Sequence, residues 1–259
     1  METAASSPVG VETLEGGAVW RVTLGGSKGN IVDAAACADL TRVFADAASA
    51  PSLKAVLFEG QGKHFSFGAS VQEHLPGEAA GMLARFHGLA RAIVDSAVVV
   101  IAVVRGQCLG GGLELATLAQ RIVAAPDARL GQPEIALGVF APLASVVLKE
   151  RVGRRHAEDL LLSGRSVDAR EALAMGLVDE VHDDPGAAAL DWVRKHLLPR
   201  SASSLRFAVR AARVDLRARL HSDLPAVERL YLDELMATRD AVEGLQAFLD
   251  KREPRWSDA

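Results

Sequence analysis

VVVIAVVRGQCLGGGLEL, residues 98–115, joins an apolar run to a glycine triplet and then to the start of a helix. The run Val98–Val104 is rich in β-branched residues and far shorter than the about 20 residues that cross a bilayer, so it predicts a buried strand. Gly110–Gly112 come after the strand, and a helix begins at Leu113–Ala116. Strand, glycine turn and helix in this order favour an α/β fold.

Strand and helix patterns alternate on both sides of this stretch. Val19–Leu24 and Leu53–Phe58 predict strands, and a helix between them begins after the capping residue Asp33 and stops at Pro51. Further along we expect a helix over 78–95, a strand over Ile122–Ala125, a loop over Asp127–Gly138 and a helix that starts at Pro142. Residues 1–10 are small and polar and predict a frayed start.

Composition indicates an ordinary globular protein. The chain has 259 residues, of which 49% are apolar and 24% charged. Leu, Ala and Arg dominate the sequence after Pro199, which favours helices. We therefore expect a core of strands and helices at residues 1–198 and a helical region at residues 199–259.

Several classes of function are disfavoured. The formal net charge of −4 argues against nucleic acid as a partner. Cys37 and Cys108 are too few for a disulfide framework or a four-thiolate zinc site, and His64, His74 and His87 lack metal-ligand spacing. The chain shows no membrane-spanning run and no secretory signal, so the expected location is the cytoplasm.

The glycine triplet is the first candidate for chemistry. Glycines let a ligand approach the backbone, and the helix start presents unpaired N–H groups at the positive end of its dipole, which suits an anion. The alternative is a tight turn without a ligand, since neither a spaced dinucleotide fingerprint nor a phosphate loop is present.

Two glutamates add to this candidate. Glu114 lies one helical turn beyond Gly111, and Glu134 follows Pro133 in a separate segment. Either residue alone is more often a solvated surface glutamate. Together, two carboxylates around one water can share protons, one as base and one as acid, because close like charges separate their pKa values.

Four segments, taken in order, carry a family resemblance. Residues 63–73, 105–115, 131–138 and 171–181 resemble the crotonase (enoyl-CoA hydratase) family, and the likeness covers nearly the whole chain. The ending at residues 243–252 resembles the family's terminal helix. The resemblance implies a spiral of ββα turns with a C-terminal helical region for oligomerisation, in a homotrimer or a hexamer made as a dimer of trimers.

The resemblance also implies roles for single residues. The N–H groups of Ala69 and Gly111 are expected to form an oxyanion hole for the thioester oxygen. Glu114 is expected to orient or deprotonate a water, and Glu134 to exchange the proton at the α-carbon. No metal or redox cofactor is expected because the thioester takes up the electrons, and coenzyme A belongs to the substrate.

Other members of the family suggest alternatives. Relatives that isomerise the double bond use one glutamate, and some relatives bind RNA without catalysis. Because both Glu114 and Glu134 are present, the sequence favours hydration or dehydration over these two alternatives.

Departures from the family pattern point to a reshaped acyl pocket. Phe67 stands where a small residue is usual, and Pro142 has no N–H where a glycine commonly helps to hold the water. The other residues expected to bind substrate are Lys28, Lys63, Gly68, Gly110 and Phe140. Lys28 and Lys63 are candidates for CoA phosphates, although solvated lysines are equally common.

The same departures bear on the substrate. Residues 64–76 and 137–142 are similar to cyclic dienoyl-CoA hydratases of anaerobic aromatic degradation and to enzymes that handle 3-methylglutaconyl-CoA or dehydrate 3-hydroxy-3-methylglutaryl-CoA. A dicarboxylic acyl group needs a cation in the pocket, because burying an unpaired carboxylate is costly. Arg85 and His87 are the candidates for that cation.

Overall fold

The computed structural model describes residues 7–259, which form two β-sheets surrounded by helices. The larger sheet contains, in spatial order, β1 (Val9–Leu14), β2 (Val19–Leu24), β3 (Ala55–Gly60), β4 (Val99–Val104), β6 (Arg121–Ala124) and β9 (Glu180–Val181). The smaller sheet contains β5 (Gln107–Leu109), β7 (Arg129–Gly131) and β8 (Ser166–Asp168). Within the larger sheet β1 runs antiparallel to β2, and every other neighbouring pair is parallel.

The helices alternate with the strands and then fill the C-terminal part. They are α1 (Ala34–Ser49), α2 (Ala79–Asp95), α3 (Gly111–Thr117), α4 (Pro142–Ser163), α5 (Ala169–Ala174), α6 (Pro185–His196), α7 (Ala202–Ala212), α8 (Val214–Ser222), α9 (Leu224–Arg229) and α10 (Arg239–Leu249). Short 3₁₀ helices occupy Val71–His74 and Pro133–Leu137, and a π-helical turn occupies Leu230–Glu234. Within the described range, no helix has both the length and the apolar character needed to cross a bilayer.

The chain winds as a repeated strand–strand–helix unit. β4 joins the larger sheet, β5 joins the smaller sheet and α3 follows; β6, β7 and α4 repeat the same order. In the first unit α3 begins two residues after β5, and in the second the 3₁₀ helix Pro133–Leu137 lies between β7 and α4. This order agrees with the expected ββα spiral.

The central strand β4 is buried along its whole length. Successive side chains point to opposite faces, so Val100 and Ala102 pack in the main core while Ile101 and Val103 face α6. Parallel strands covered on both faces require such continuous apolar runs. The predicted buried strand is confirmed.

Two predictions of local structure need correction. Residues 1–6 lie outside the described range, but Val9 and Gly10 are not frayed, because backbone pairing with β2 holds them in β1. The predicted loop Asp127–Gly138 contains β7 and a 3₁₀ helix. β7 forms because it pairs with two strands distant in sequence, a contact that a local pattern does not show.

The C-terminal helices pack against the spiral of their own chain. Leu224, Tyr231 and Leu245 belong to the same hydrophobic core as the spiral. Gly244 of α10 lies so close to the 3₁₀ helix Pro133–Leu137 that a Cβ there would collide with the Leu137 carbonyl oxygen. The division at residue 198 and the oligomerisation role remain predictions.

We expect Gly244→Ala to destabilise the protein by about 1–3 kcal/mol, the usual cost of overpacking, because the new methyl group must displace the Leu137 carbonyl. Chemical denaturation measures this change. The matched control is Gly88→Ala in α2, where a Cβ meets nothing within 4 Å and stability should rise by about 0.5–1 kcal/mol. Equal effects of the two substitutions would contradict the packing described here.

Candidate active site

One cavity contains most of the residues singled out in the sequence. It encloses about 70 Å³, enough for a few water molecules. The predicted site residues in its lining are Phe67, Gly68, Ala69, Gly110, Gly111, Glu114, Glu134, Phe140 and Pro142. Met82, Leu83 and Phe86 of α2 and Leu245 of α10 add apolar walls. The structure therefore brings the two amide-bearing segments and the two carboxylates together.

The amides of Ala69 and Gly111 are neighbours. A Cβ built on Gly111 would lie 3.0 Å from the Ala69 nitrogen, and one built on Gly68 would lie 3.2 Å from the Gly111 nitrogen. Gly68 has a φ of +103°, which only glycine adopts readily. Within residues 7–259 neither amide donates a hydrogen bond to another protein group. Their role as an oxyanion hole stays a prediction, but their placement is compatible with it.

Two polar residues that sequence reasoning missed hold the Ala69 segment in place. The Ser66 hydroxyl donates to the Asn30 carbonyl at 2.7 Å and accepts from the Gly68 N–H at 3.0 Å. The Asn30 side chain donates to the carbonyls of His64 and Phe65. The segment is therefore braced by buried hydrogen bonds rather than by helix or sheet pairing alone.

Glu114 points at the N-terminus of α4. It lies on α3 and is buried, and its Oε1 accepts the Ala144 N–H at 2.7 Å. Pro142 occupies the first position of α4, as predicted, and its missing N–H costs nothing there. The first turn of α4 still has free N–H groups, and one of them, that of Ala144, binds the Glu114 carboxylate. A negative charge is favoured there because the N-terminus is the positive end of the helix dipole.

Glu134 approaches the glycine triplet from the other side. It lies on the 3₁₀ helix Pro133–Leu137, and a Cβ on Gly110 would lie 2.7 Å from its Oε1. Gln132 is buried, and in the amide orientation that satisfies both its oxygen and its nitrogen, the nitrogen donates to both Glu134 oxygens at 3.0 and 3.1 Å. Sequence reasoning missed Gln132, because no motif marks a glutamine two residues before a glutamate.

Both carboxyl groups bind protons more tightly than a solvated glutamate. Burial raises the pKa of Glu114, although the Ala144 and Leu143 amides offset part of this effect. Burial also raises the pKa of Glu134, and the negative charge of Glu114 raises it further. Two buried like charges cannot both ionise easily, so the pair shares a proton near neutral pH.

The two predicted phosphate-binding lysines lie apart from the cavity lining. Lys28 and Lys63 are both exposed. Their loops are neighbours, since the Phe67 N–H donates to the Gly29 carbonyl at 2.8 Å. Their contact with coenzyme A remains a prediction. In the described part of the chain, no group of three or more His, Cys, Asp or Glu residues is arranged to hold a metal ion.

The ββα spiral and this cavity define a crotonase-type enzyme. The profile of the family described as enoyl-CoA hydratase/isomerase matches residues 15–259. The chain belongs to the enoyl-CoA hydratase/isomerase family.

Individual relatives agree with this assignment. The chain is 54% identical over 254 residues to cyclohexa-1,5-dienecarbonyl-CoA hydratase of Thauera aromatica, covering 98% of each protein. It is 33% identical over 231 residues to a mevalonyl-coenzyme A hydratase of Beauveria bassiana, covering 81% of this chain and 80% of the relative. The crystal structure of an enoyl-CoA hydratase from Mycobacterium avium subsp. paratuberculosis K-10 superposes with a TM-score of 0.84 at 27% identity, over 97% of this chain and 99% of the other. These findings confirm the predicted family, its fold and the resemblance to cyclic dienoyl-CoA hydratases.

We expect Glu114→Gln to stabilise the protein at alkaline pH and not at acid pH. Because the folded state raises the pKa of Glu114 above its ordinary 4.5, the folded chain holds more protons than the unfolded chain, and stability falls as the pH rises above that value. Glutamine removes this penalty, on the order of 1 kcal/mol per pKa unit.

Urea denaturation at pH 4 and pH 8 measures the difference between the variant and the parent protein. The exposed Glu253 supplies the control, since Glu253→Gln should leave stability unchanged at both pH values. If Glu114→Gln raised the free energy of unfolding by the same amount at pH 4 and pH 8, the folded state would not raise the pKa of Glu114.

Proposed function

We propose that the protein is an enoyl-CoA hydratase/dehydratase that acts on a short, uncharged cyclic acyl group. The observation that carries the proposal is one cavity in which two carboxylates, Glu114 and Glu134, face two adjacent backbone amides, those of Ala69 and Gly111. The full-length 54% identity to cyclohexa-1,5-dienecarbonyl-CoA hydratase supports the cyclic acyl group.

In this proposal the amides of Ala69 and Gly111 donate to the thioester oxygen, and a water lies between the glutamates. Glu114, ionised, takes a proton from the water as its oxygen bonds to the β-carbon. The electron pair of the double bond moves toward the carbonyl and gives an enolate, which the amides stabilise. Glu134, protonated, then gives its proton to the α-carbon. The shared proton on the pair supplies the unequal protonation that these two roles need.

Dehydration runs through the same steps in reverse. Glu134 removes the α-proton, and Glu114 returns a proton to the departing hydroxide. The reaction needs no metal or redox cofactor, and coenzyme A enters as part of the substrate. The cytoplasmic location and the homotrimer or hexamer remain predictions.

The surroundings of the two predicted cations support an uncharged acyl group. Arg85 does not line the cavity and pairs with Glu73 at 2.9 Å. His87 lines the cavity, but its Nδ1 is bonded to Glu228, and burial lowers the pKa of its imidazole, so the ring is neutral. A dicarboxylic acyl group such as 3-methylglutaconyl would find neither expected cation free.

We expect Glu114→Gln and Glu134→Gln each to lower kcat by about 10²–10⁴-fold, the usual contribution of an acid or base, and to leave the affinity for the CoA thioester unchanged. Loss of absorbance of the conjugated thioester measures turnover, and calorimetry with the thioester measures binding. Glu253→Gln is the matched control. Near-normal kcat in both active-site variants would refute the assignment.

We expect kcat/KM for cyclohexa-1,5-dienecarbonyl-CoA to exceed that for 3-methylglutaconyl-CoA by at least about 100-fold, because an unpaired carboxylate costs several kcal/mol to bury. Crotonyl-CoA, which is uncharged but smaller, is the comparison for size. Mass spectrometry in H₂¹⁸O separates hydration from isomerisation, since only hydration adds the labelled oxygen. Preference for the dicarboxylic substrate, or a product without the label, would contradict the proposal.

A further inference from the structure

The tail of the chain, residues 253–259, folds back onto the start of α10. The Asp240 carboxylate accepts the N–H and the hydroxyl of Ser257 at 2.7 and 2.8 Å. It also accepts the N–H of Asp258 at 2.7 Å. These three hydrogen bonds fasten the tail to α10.

Trp256 lies in the tail and inserts one edge of its indole into a notch between two glycines, Gly138 and Gly244. A Cβ built on Gly138 would lie 3.1 Å from the ring atom Cζ3, and one built on Gly244 would lie 2.8 Å from Cη2. The residue remains 46% exposed, so only part of the ring is packed. The notch exists because neither position carries a side chain.

The notch adjoins the element that carries Glu134. Gly138 ends the 3₁₀ helix Pro133–Leu137, and its N–H donates to the Glu134 carbonyl. The Val139 N–H also donates to that carbonyl, at 3.2 Å. A displacement of Gly138 therefore moves the backbone from which the Glu134 carboxylate projects.

The same notch adjoins the wall of the active-site cavity. Leu137 and Leu245, which are next to the two glycines in sequence, both line the cavity. α10 and the 3₁₀ helix touch where a Cβ on Gly244 would lie 2.2 Å from the Leu137 carbonyl oxygen. The indole of Trp256 packs on both elements at this contact and holds them together.

We propose that Trp256 is a positioning residue for Glu134, because its ring fills the notch and so fixes the 3₁₀ helix that presents the carboxylate to the acyl group. This inference rests on the proposed function. Trp256 does not line the cavity and acts only through Gly138 and Gly244. A misplacement of about 1 Å in a reacting group can cost about 100-fold in rate, so an indirect contact of this kind has a measurable effect.

We expect Trp256→Ala to lower kcat by about 10–100-fold and to change KM less than about threefold, because substrate still binds while Glu134 is misplaced. Trp256→Phe, whose ring can still enter the notch, should keep kcat within about threefold of the parent protein. The matched control is Trp192→Ala in α6, which should leave kcat unchanged. Trp192 is also partly exposed, but it packs on Arg121 and against the other face of the larger sheet.

Hydrogen exchange followed by mass spectrometry tests the packing step without turnover. In Trp256→Ala the amides of Gly138 and Val139 should exchange at least about tenfold faster, because the last turn of the 3₁₀ helix opens more often. Amides of β4 should exchange at the parent rate. Asp240→Ala releases the tail but keeps the ring, and it should raise exchange at the same two amides to a smaller extent.

An unchanged kcat in Trp256→Ala, or an equal loss of kcat in Trp192→Ala, would overturn the proposal. Exchange at Gly138 and Val139 that stays at the parent rate, or that rises equally in β4, would also overturn it. If the parent protein turns over no enoyl-CoA, the proposed function fails, and the exchange rates still report whether Trp256 holds the 3₁₀ helix.

Discussion

The close approach of two backbone segments at Gly68 and Gly111 governs the rest of the site. Side chains at these positions would press on the neighbouring amides, so the approach requires glycine at both. Ser66 and Asn30 hold one segment with buried hydrogen bonds, and α3 begins directly at the other. Two residues from separate turns of the spiral, Ala69 and Gly111, therefore line the same cavity with their backbone nitrogens close together.

The carboxylates depend on the same approach. Glu114 reaches the cavity because α3 starts at Gly111, and Glu134 reaches it because Gly110 has no Cβ to block its carboxylate. The backbone N–H of Ala144 donates to Glu114, and the side-chain amide of Gln132 donates to Glu134. These donors reduce the cost of burying two like charges but do not remove it, and the remaining cost keeps a proton on the pair.

Local patterns predicted the parts of the fold that depend on local chemistry. The run Val98–Val104 is a buried strand, Asp33 caps α1 through the Ala36 amide, and Pro142 begins α4. The glycine triplet and Glu114 were recognisable because the strand, the turn and the helix that carry them are consecutive. The family resemblance then connected them with Ala69 and Glu134.

The rest of the site depends on contacts between residues far apart in sequence. Tyr231 meets Phe140 across about 90 positions, a separation at which sequence periodicity carries no signal. His87 was noted only as a possible cation, and its neutral state follows from burial and from Glu228, neither of which the sequence shows. β7 was missed for the same reason, because its partners lie in other turns of the spiral.

A crystal structure of Glu134→Gln with an enoyl-CoA thioester bound tests the central claim most directly. The account predicts the thioester oxygen within about 2.7–3.1 Å of both the Ala69 and Gly111 nitrogens, with the acyl double bond beside Glu114. A thioester oxygen that contacts neither amide, or an acyl chain that leaves Glu114 on the far side of the cavity, would contradict it.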